Sequence, residues 1–187
     1  MTKTLLLSEL LTEKQCREWV TDADISDAAL FSSTSRRQEY LTWRAMLYKY
    51  LGRQVEITYE HSAPIVVGCD INIGVSHTTD MAAVVISPSP CAVDIEREDR
   101  DVSRVAERFS SARERELATD NRSCVAVWCA RECYYKYRRN RKLDILSGVH
   151  VTALDFERGV VTAEDNSGLV LEMKIEQTAE HIVVYVL

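Results

Sequence analysis

Glycine and proline are scarce in this 187-residue chain, at six and three residues, which excludes a collagen-like polymer or a low-complexity disordered segment. Long apolar runs are missing as well. The stretch Thr4-Leu5-Leu6-Leu7 gives way at once to Ser8 and Glu9, too short for a bilayer span. No signal-peptide cleavage pattern follows it, so the chain is expected to be cytoplasmic and without a membrane partner. The six cysteines, Cys16, Cys69, Cys91, Cys124, Cys129 and Cys133, lack the spacing of a secreted disulfide framework. Cys124, Cys129 and Cys133 fall near one another, yet no second Cys or His pair at ligand spacing accompanies them. They read as small buried hydrophobes rather than a soft-metal site.

An excess of basic residues is also absent. The net charge is −6, which argues against a dedicated nucleic-acid protein. The positive charge there is gathers at Arg131, Lys136, Arg138, Arg139, Arg141 and Lys142. Cations at a helix end complement the helix dipole; the functional reading is an electropositive rim for an anionic ligand or an acidic partner.

What remains is an ordinary globular composition, 46% hydrophobic, long enough for one sizeable core or two small fused lobes. Periodicity predicts helices over Thr12–Val20 and Ser35–Leu51, the second stopped by Gly52. Strands are expected at Val55–Tyr59, Ile65–Val67, Ile71–Ser76, Met81–Ser87 and Cys91–Glu96, with Ser87-Pro88-Ser89-Pro90 turning the last two into an antiparallel hairpin. Helices follow at Val102–Phe109, Ala112–Thr119 and Ser123–Arg139. Strands at Val149–Phe156, Val160–Asp165, Leu169–Gln177 and His181–Leu187 close the chain. Helices then strands in each half make an α+β fold.

Two runs carry the chemistry. In Ala92-Val93-Asp94-Ile95-Glu96 the period of a strand puts Asp94 and Glu96 on one face. In Trp128-Cys129-Ala130-Arg131-Glu132-Cys133-Tyr134-Tyr135-Lys136 the period of a helix aligns Trp128, Glu132 and Lys136. Taken singly, an Asp-x-Glu pair is a solvated strand end and Glu132 with Lys136 an ordinary helix pair. Three carboxylates and a lysine that can converge describe a divalent-metal site handling a phosphate.

Together these runs resemble the 4'-phosphopantetheinyl transferases, of the larger monomeric type that activates peptide and polyketide synthetases. That family carries Gly-x-Asp-x-Glu, then Phe-(x)4-Glu, then Trp-x-x-Lys-Glu-Ala-x-x-Lys. The matching residues are Ala92 to Glu96, Phe109 to Glu114 and Trp128 to Lys136. Upstream, Ser76-His77 resembles the family's Ser-His pair, and Arg36 to Arg44 its arginine-bearing helix.

The resemblance implies two similar lobes, residues 1–98 and 99–187, related by a pseudo-twofold axis with the ligand cleft between them. The boundary would fall in the charged connector Arg97-Glu98-Asp99-Arg100-Asp101. It implies transfer of the phosphopantetheine arm of coenzyme A to a serine of an acidic acyl or peptidyl carrier protein, with release of adenosine 3',5'-bisphosphate. Asp94, Glu96 and Glu132 would bind Mg2+. Glu132 would also be the base, and Lys136 would pair with a phosphate. Ser76 and His77 would contact phosphate, and Arg36, Arg37 or Arg44 would hold the 3'-phosphate, Arg37 and Arg44 being favoured. A monomer serving lipid or secondary-metabolite biosynthesis is expected.

There are departures. Ala92 replaces the family's glycine, with its methyl on the face of Asp94 and Glu96. Arg131 replaces a lysine and Cys133 an alanine. Ser62-Ala63-Pro64 stands where many relatives have Gly-Lys-Pro, so a cationic contact to coenzyme A is lost. These changes motivate an alternative, a weakly active or inactive relative that binds carrier protein or coenzyme A. An unrelated magnesium-dependent phosphohydrolase with the same carboxylate geometry is a third reading.

Overall fold

The computed structural model describes residues 3–102, 106–107 and 111–187. The chain divides into two compact units, Met1–Pro90 and Cys91–Leu187, and both are α+β with antiparallel sheets.

The first unit runs β1 (Thr4–Glu9), α1 (Glu13–Cys16), α2 (Asp22–Ala29), α3 (Thr34–Leu51), β2 (Ile57–Glu60), β3 (Ala63–Val66), β4 (Asn72–His77) and β5 (Met81–Ser87). Each helix starts at a hydroxyl that satisfies an otherwise orphaned N–H. Thr12 and Gln15, and likewise Thr21 and Asp24, form reciprocal capping boxes, and Ser33 accepts from Arg36 N. Helix α3 ends at Gly52, whose φ of 66° suits a residue without Cβ. Its middle, Leu41 to Tyr48, is buried, and each fully buried leucine there contributes about 1.5–3 kcal/mol. Strand β5 is central in a three-stranded sheet of order β1-β5-β4, while β2 and β3 form a separate hairpin.

The second unit runs β6 (Ala92–Arg97), α4 (Ala112–Leu117), α5 (Asn121–Arg138), β7 (Val149–Asp155), β8 (Val160–Asp165), β9 (Val170–Gln177) and β10 (His181–Val186). Its sheet has the order β6-β10-β9-β8-β7. Asp120 caps α5, which buries Val125, Cys129, Ala130, Cys133 and Tyr134 in a core shared with Ala92, Ile182 and Val184.

Three sequence expectations need correction. The helix expected over Thr12–Val20 stops at Cys16, and a second capping box at Thr21 opens α2, which periodicity missed. Strand β1 was also missed, because its leucine run lacks alternation. The hairpin across Ser87–Pro90 does not form: both edges of β5 are filled by β1 and β4, and β6 pairs with β10. Strand β6 belongs to the second compact unit, which begins at Cys91. Of the helix expected over Val102–Phe109, most lies outside the described residues, Phe109 included. Among the described residues no helix is long and apolar enough to cross a membrane.

Candidate active site

The acidic residues stand on β6 and on the face of α5 packed against it. Asp94 is 4% exposed and its Oδ1 accepts from Lys136 Nζ at 2.6 Å. Lys136 also donates to the Val93 carbonyl at 3.3 Å. One step along β6, Glu96 Oε1 accepts from Trp128 Nε1 at 3.2 Å. The same oxygen bonds Arg100, which lies in the connector after β6. Glu132 is half-buried on the same stripe of α5, and the charge of Asp94 bears on it. Hydrogen bonds thus tie Asp94 to Lys136 and Glu96 to Trp128 across β6 and α5, and Glu132, on the same stripe of α5, feels the charge of Asp94.

Their electrostatics are strained. Burial, then repulsion from Asp94, pushes the Glu96 carboxyl up to about 7, against the pull of Arg100, Trp128 and Lys136. The same two causes raise Glu132, with Lys136 and Arg100 opposing. Burial alone would lower the Lys136 ammonium; Asp94, with Glu132 and Cys133 adding to it, offsets this, and the net direction is upward.

Among the described residues no three Asp, Glu, His or Cys side chains are already gathered to hold a metal ion. Lys136 and Arg100, cations of the chain itself, hold two of the three carboxylates. The donor chemistry nevertheless fits a hard cation, since all three groups offer carboxylate oxygens, and the raised carboxyls mark negative charge that the chain offsets only in part. The six cysteines are free, and Cys129 and Cys133 are fully buried, as the filler reading expects.

In the first unit, Ser76 and His77 end β4. The Thr78 hydroxyl shapes the turn after them, donating to Asp80 Oδ1 at 2.6 Å and accepting from Met81 N at 3.1 Å. Ser76 is buried. His77 lines a cavity of about 550 Å3 together with Arg36, Phe31, Tyr40, Trp43 and Tyr59. Arg36 Nη1 donates to His77 Nε2 at 2.9 Å.

Of the three candidate arginines, the structure brings Arg36 to this cavity. Arg37 donates Nε to the Phe31 carbonyl at 2.7 Å. Arg44 is 2% exposed, donates to Asp24 Oδ1 at 3.0 Å, and stacks 3.5 Å from the Tyr40 ring centre. Sequence reasoning favoured Arg37 and Arg44 because helical register alone does not say which side of α3 faces a cavity.

The family model of the 4'-phosphopantetheinyl transferase superfamily matches residues 90–183. The chain belongs to that superfamily. The matched segment contains Asp94, Glu96, Glu132 and Lys136. Among curated proteins none matches the chain.

Two departures from the transferase motifs find their reason in the fold. Arg131, expected in the basic cluster, is fully buried and forks onto Glu114, Nε to Oε1 at 2.8 Å and Nη2 to Oε2 at 2.5 Å. Its Nη1 donates to the Ile145 and Leu146 carbonyls at 2.8 and 2.9 Å. A lysine, with one point charge, cannot reproduce that fork. Arg138 likewise pairs with Asp165 at 2.9 Å, which leaves Arg139, Arg141 and Lys142 as the exposed basic residues there. The second departure, Ala92, is 1% exposed and its methyl joins the core of the second unit. For the turn Ser62-Ala63-Pro64, the backbone is left-handed at His61 and Ser62, with φ of 52° and 72°, a conformation that favours glycine. No contact in the structure explains serine there.

Proposed function

We propose that the chain is a 4'-phosphopantetheinyl transferase of the larger, monomeric type, acting on the serine of an acidic acyl or peptidyl carrier protein without a membrane or nucleic-acid partner. The serine oxygen attacks the pantetheine-side phosphorus of the coenzyme A pyrophosphate. The bond to the bridging oxygen breaks, and adenosine 3',5'-bisphosphate leaves with the electron pair. Two anionic phosphates repel an incoming hydroxyl, so charge neutralisation and positioning dominate the catalysis.

Asp94, Glu96 and Glu132 would hold Mg2+, and the ion would supply neutralisation of the pyrophosphate charge. Glu132 takes the serine proton, a role that suits a half-buried carboxylate held above its ordinary range. Lys136 balances charge on a phosphate as a compact ammonium. Ser76, His77 and Arg36 contact phosphate in the first unit, Arg36 taking the place first considered for Arg37 and Arg44.

What supports this reading is the pairing of Asp94 with Lys136 and of Glu96 with Trp128 across β6 and α5, with Glu132 on the same stripe of α5, inside the segment that matches the superfamily. The test is to incubate the protein with coenzyme A, Mg2+ and an apo-carrier, then weigh the carrier. Gain of one phosphopantetheine is expected. A stable complex with no mass gain would favour a binding relative, and release of adenosine bisphosphate without a carrier would favour a hydrolase.

A further inference from the structure

Glu39 stands behind the Arg36–His77 pair, and no motif named it. On α3 it sits three residues after Arg36 and four after Ser35, the spacings that bring helix side chains together. Its Oε2 accepts from Arg36 Nη1 at 2.9 Å and lies 3.4 Å from His77 Nδ1. Its Oε1 accepts from the Ser35 hydroxyl at 3.1 Å. The Glu39 side chain is 12% exposed, against 53% for Arg36 and 29% for His77. The guanidinium and the imidazole therefore line the cavity while the carboxylate stays behind them, and His77 donates to a phosphate there when both of its ring nitrogens carry protons.

Arginine cannot accept a hydrogen bond, so His77 Nε2 is the acceptor of the Arg36 N–H and the ring proton belongs on Nδ1, on the Glu39 side. One carboxylate thus fixes a guanidinium and an imidazole from two different elements, α3 and β4, at a single opening. We propose that Glu39 is a positioning residue for a phosphate monoester, holding Arg36 and His77 in the geometry that grips it. The inference rests on the reading of coenzyme A as substrate, with its 3'-phosphate as the group that Arg36 and His77 hold.

This role and plain electrostatics predict opposite signs. A carboxylate near an anion site repels the ligand, so on charge alone Glu39→Gln strengthens binding. If Glu39 sets the geometry, the same variant weakens it, because an uncharged amide holds a guanidinium and an imidazole poorly.

The experiment is calorimetric binding of adenosine 3',5'-bisphosphate, coenzyme A and dephospho-coenzyme A to wild type and Glu39→Gln, with melting temperatures as the folding control. Roughly tenfold weaker binding of the first two is expected, with dephospho-coenzyme A unchanged and kcat for transfer altered less than about twofold. The milder Ser35→Ala, which removes one bond to Glu39 and leaves the charge in place, should weaken the same two ligands about twofold. In an Arg36→Gln, His77→Asn background, Glu39→Gln should add nothing further. Equal or tighter binding by Glu39→Gln, or an equal loss for dephospho-coenzyme A, overturns the inference alone. A wild type that binds none of the three overturns both this inference and the reading beneath it.

Discussion

Glu114 and Glu132 both belong to helices of the second unit, and the fold treats them in opposite ways. Glu114 is fully buried, yet each of its oxygens is satisfied: Arg131 forks onto both, Val151 N donates to Oε1 at 2.9 Å, and Ser111 N donates to Oε2 at 2.7 Å. Burial pushes its carboxyl up, but Arg131 and the two backbone donors outweigh it, and the net direction is down. Glu132 is less buried, and burial together with the charge of Asp94 holds it above its ordinary range. The lesson concerns satisfaction rather than depth. A buried acid with its counter-ion and donors in place is architecture, whereas a half-buried acid beside another acid is charge kept ready for a ligand.

The most direct way to break this contrast is Glu132→Gln. Transfer should fall by a factor on the order of 10²–10⁴, the usual contribution of a positioned base, with the melting temperature unchanged or slightly higher. Turnover within tenfold of wild type, measured by carrier mass, would remove Glu132 from the proposed chemistry.

Arg131→Met should do the reverse. It strands a buried carboxylate, which costs about 3–5 kcal/mol in urea unfolding, and any loss of transfer should follow the loss of folded protein. Arg131→Lys should recover part of that stability but not all, since one ammonium replaces a fork and two carbonyl contacts. A full recovery would mean that charge alone, not geometry, is what Glu114 requires.

How far such roles could be read from the sequence follows from where each partner lies. Asp94 with Glu96, and Glu132 with Lys136, were legible because strand and helix periods gather residues locally. The stop at Gly52 and the long helices α3 and α5 were legible for the same reason. The Glu114–Arg131 and Asp24–Arg44 pairs were not, because each joins separate helices with no shared period. The false hairpin at Ser87–Pro90 has the same cause. The segment does interrupt the strands there, but strand pairing depends on which edges distant segments have already filled. The choice of Arg36 over Arg37 and Arg44 likewise depends on tertiary packing around α3.

Glu96 tests the strained half of the contrast by pH. Its folded carboxyl titrates near 7, above the ordinary 4.5, so between those values the native state binds more protons than the unfolded chain. Stability from this group is therefore fully present below about 4.5 and is lost as the pH rises through about 7. Without divalent cation, Glu96→Gln should be more stable than wild type by about 1–2 kcal/mol at pH 8, and no different at pH 4. Mg2+ at pH 8 should stabilise the wild type and have less effect on the variant, a readout independent of transfer. If Mg2+ stabilises both equally, Glu96 is not among its ligands.

The smallest effect sharpens the comparison within a single helix. Helix α4 carries Glu114 inward and Glu116 outward, two residues apart on opposite sides. Glu116 bonds Arg113 at 3.0 Å with 61% and 67% of the two side chains exposed, so water and salt screen the pair and holding two long side chains together costs entropy. Glu116→Gln should change unfolding stability by less than about 0.5 kcal/mol, and that change should shrink further in 1 M salt. Glu114→Gln in the same helix should cost several times more and resist salt, because its partner is out of reach of the solvent. Equal costs for the two substitutions would mean that α4 responds to charge as such, and the distinction between satisfied and exposed acids would fail where it is easiest to measure.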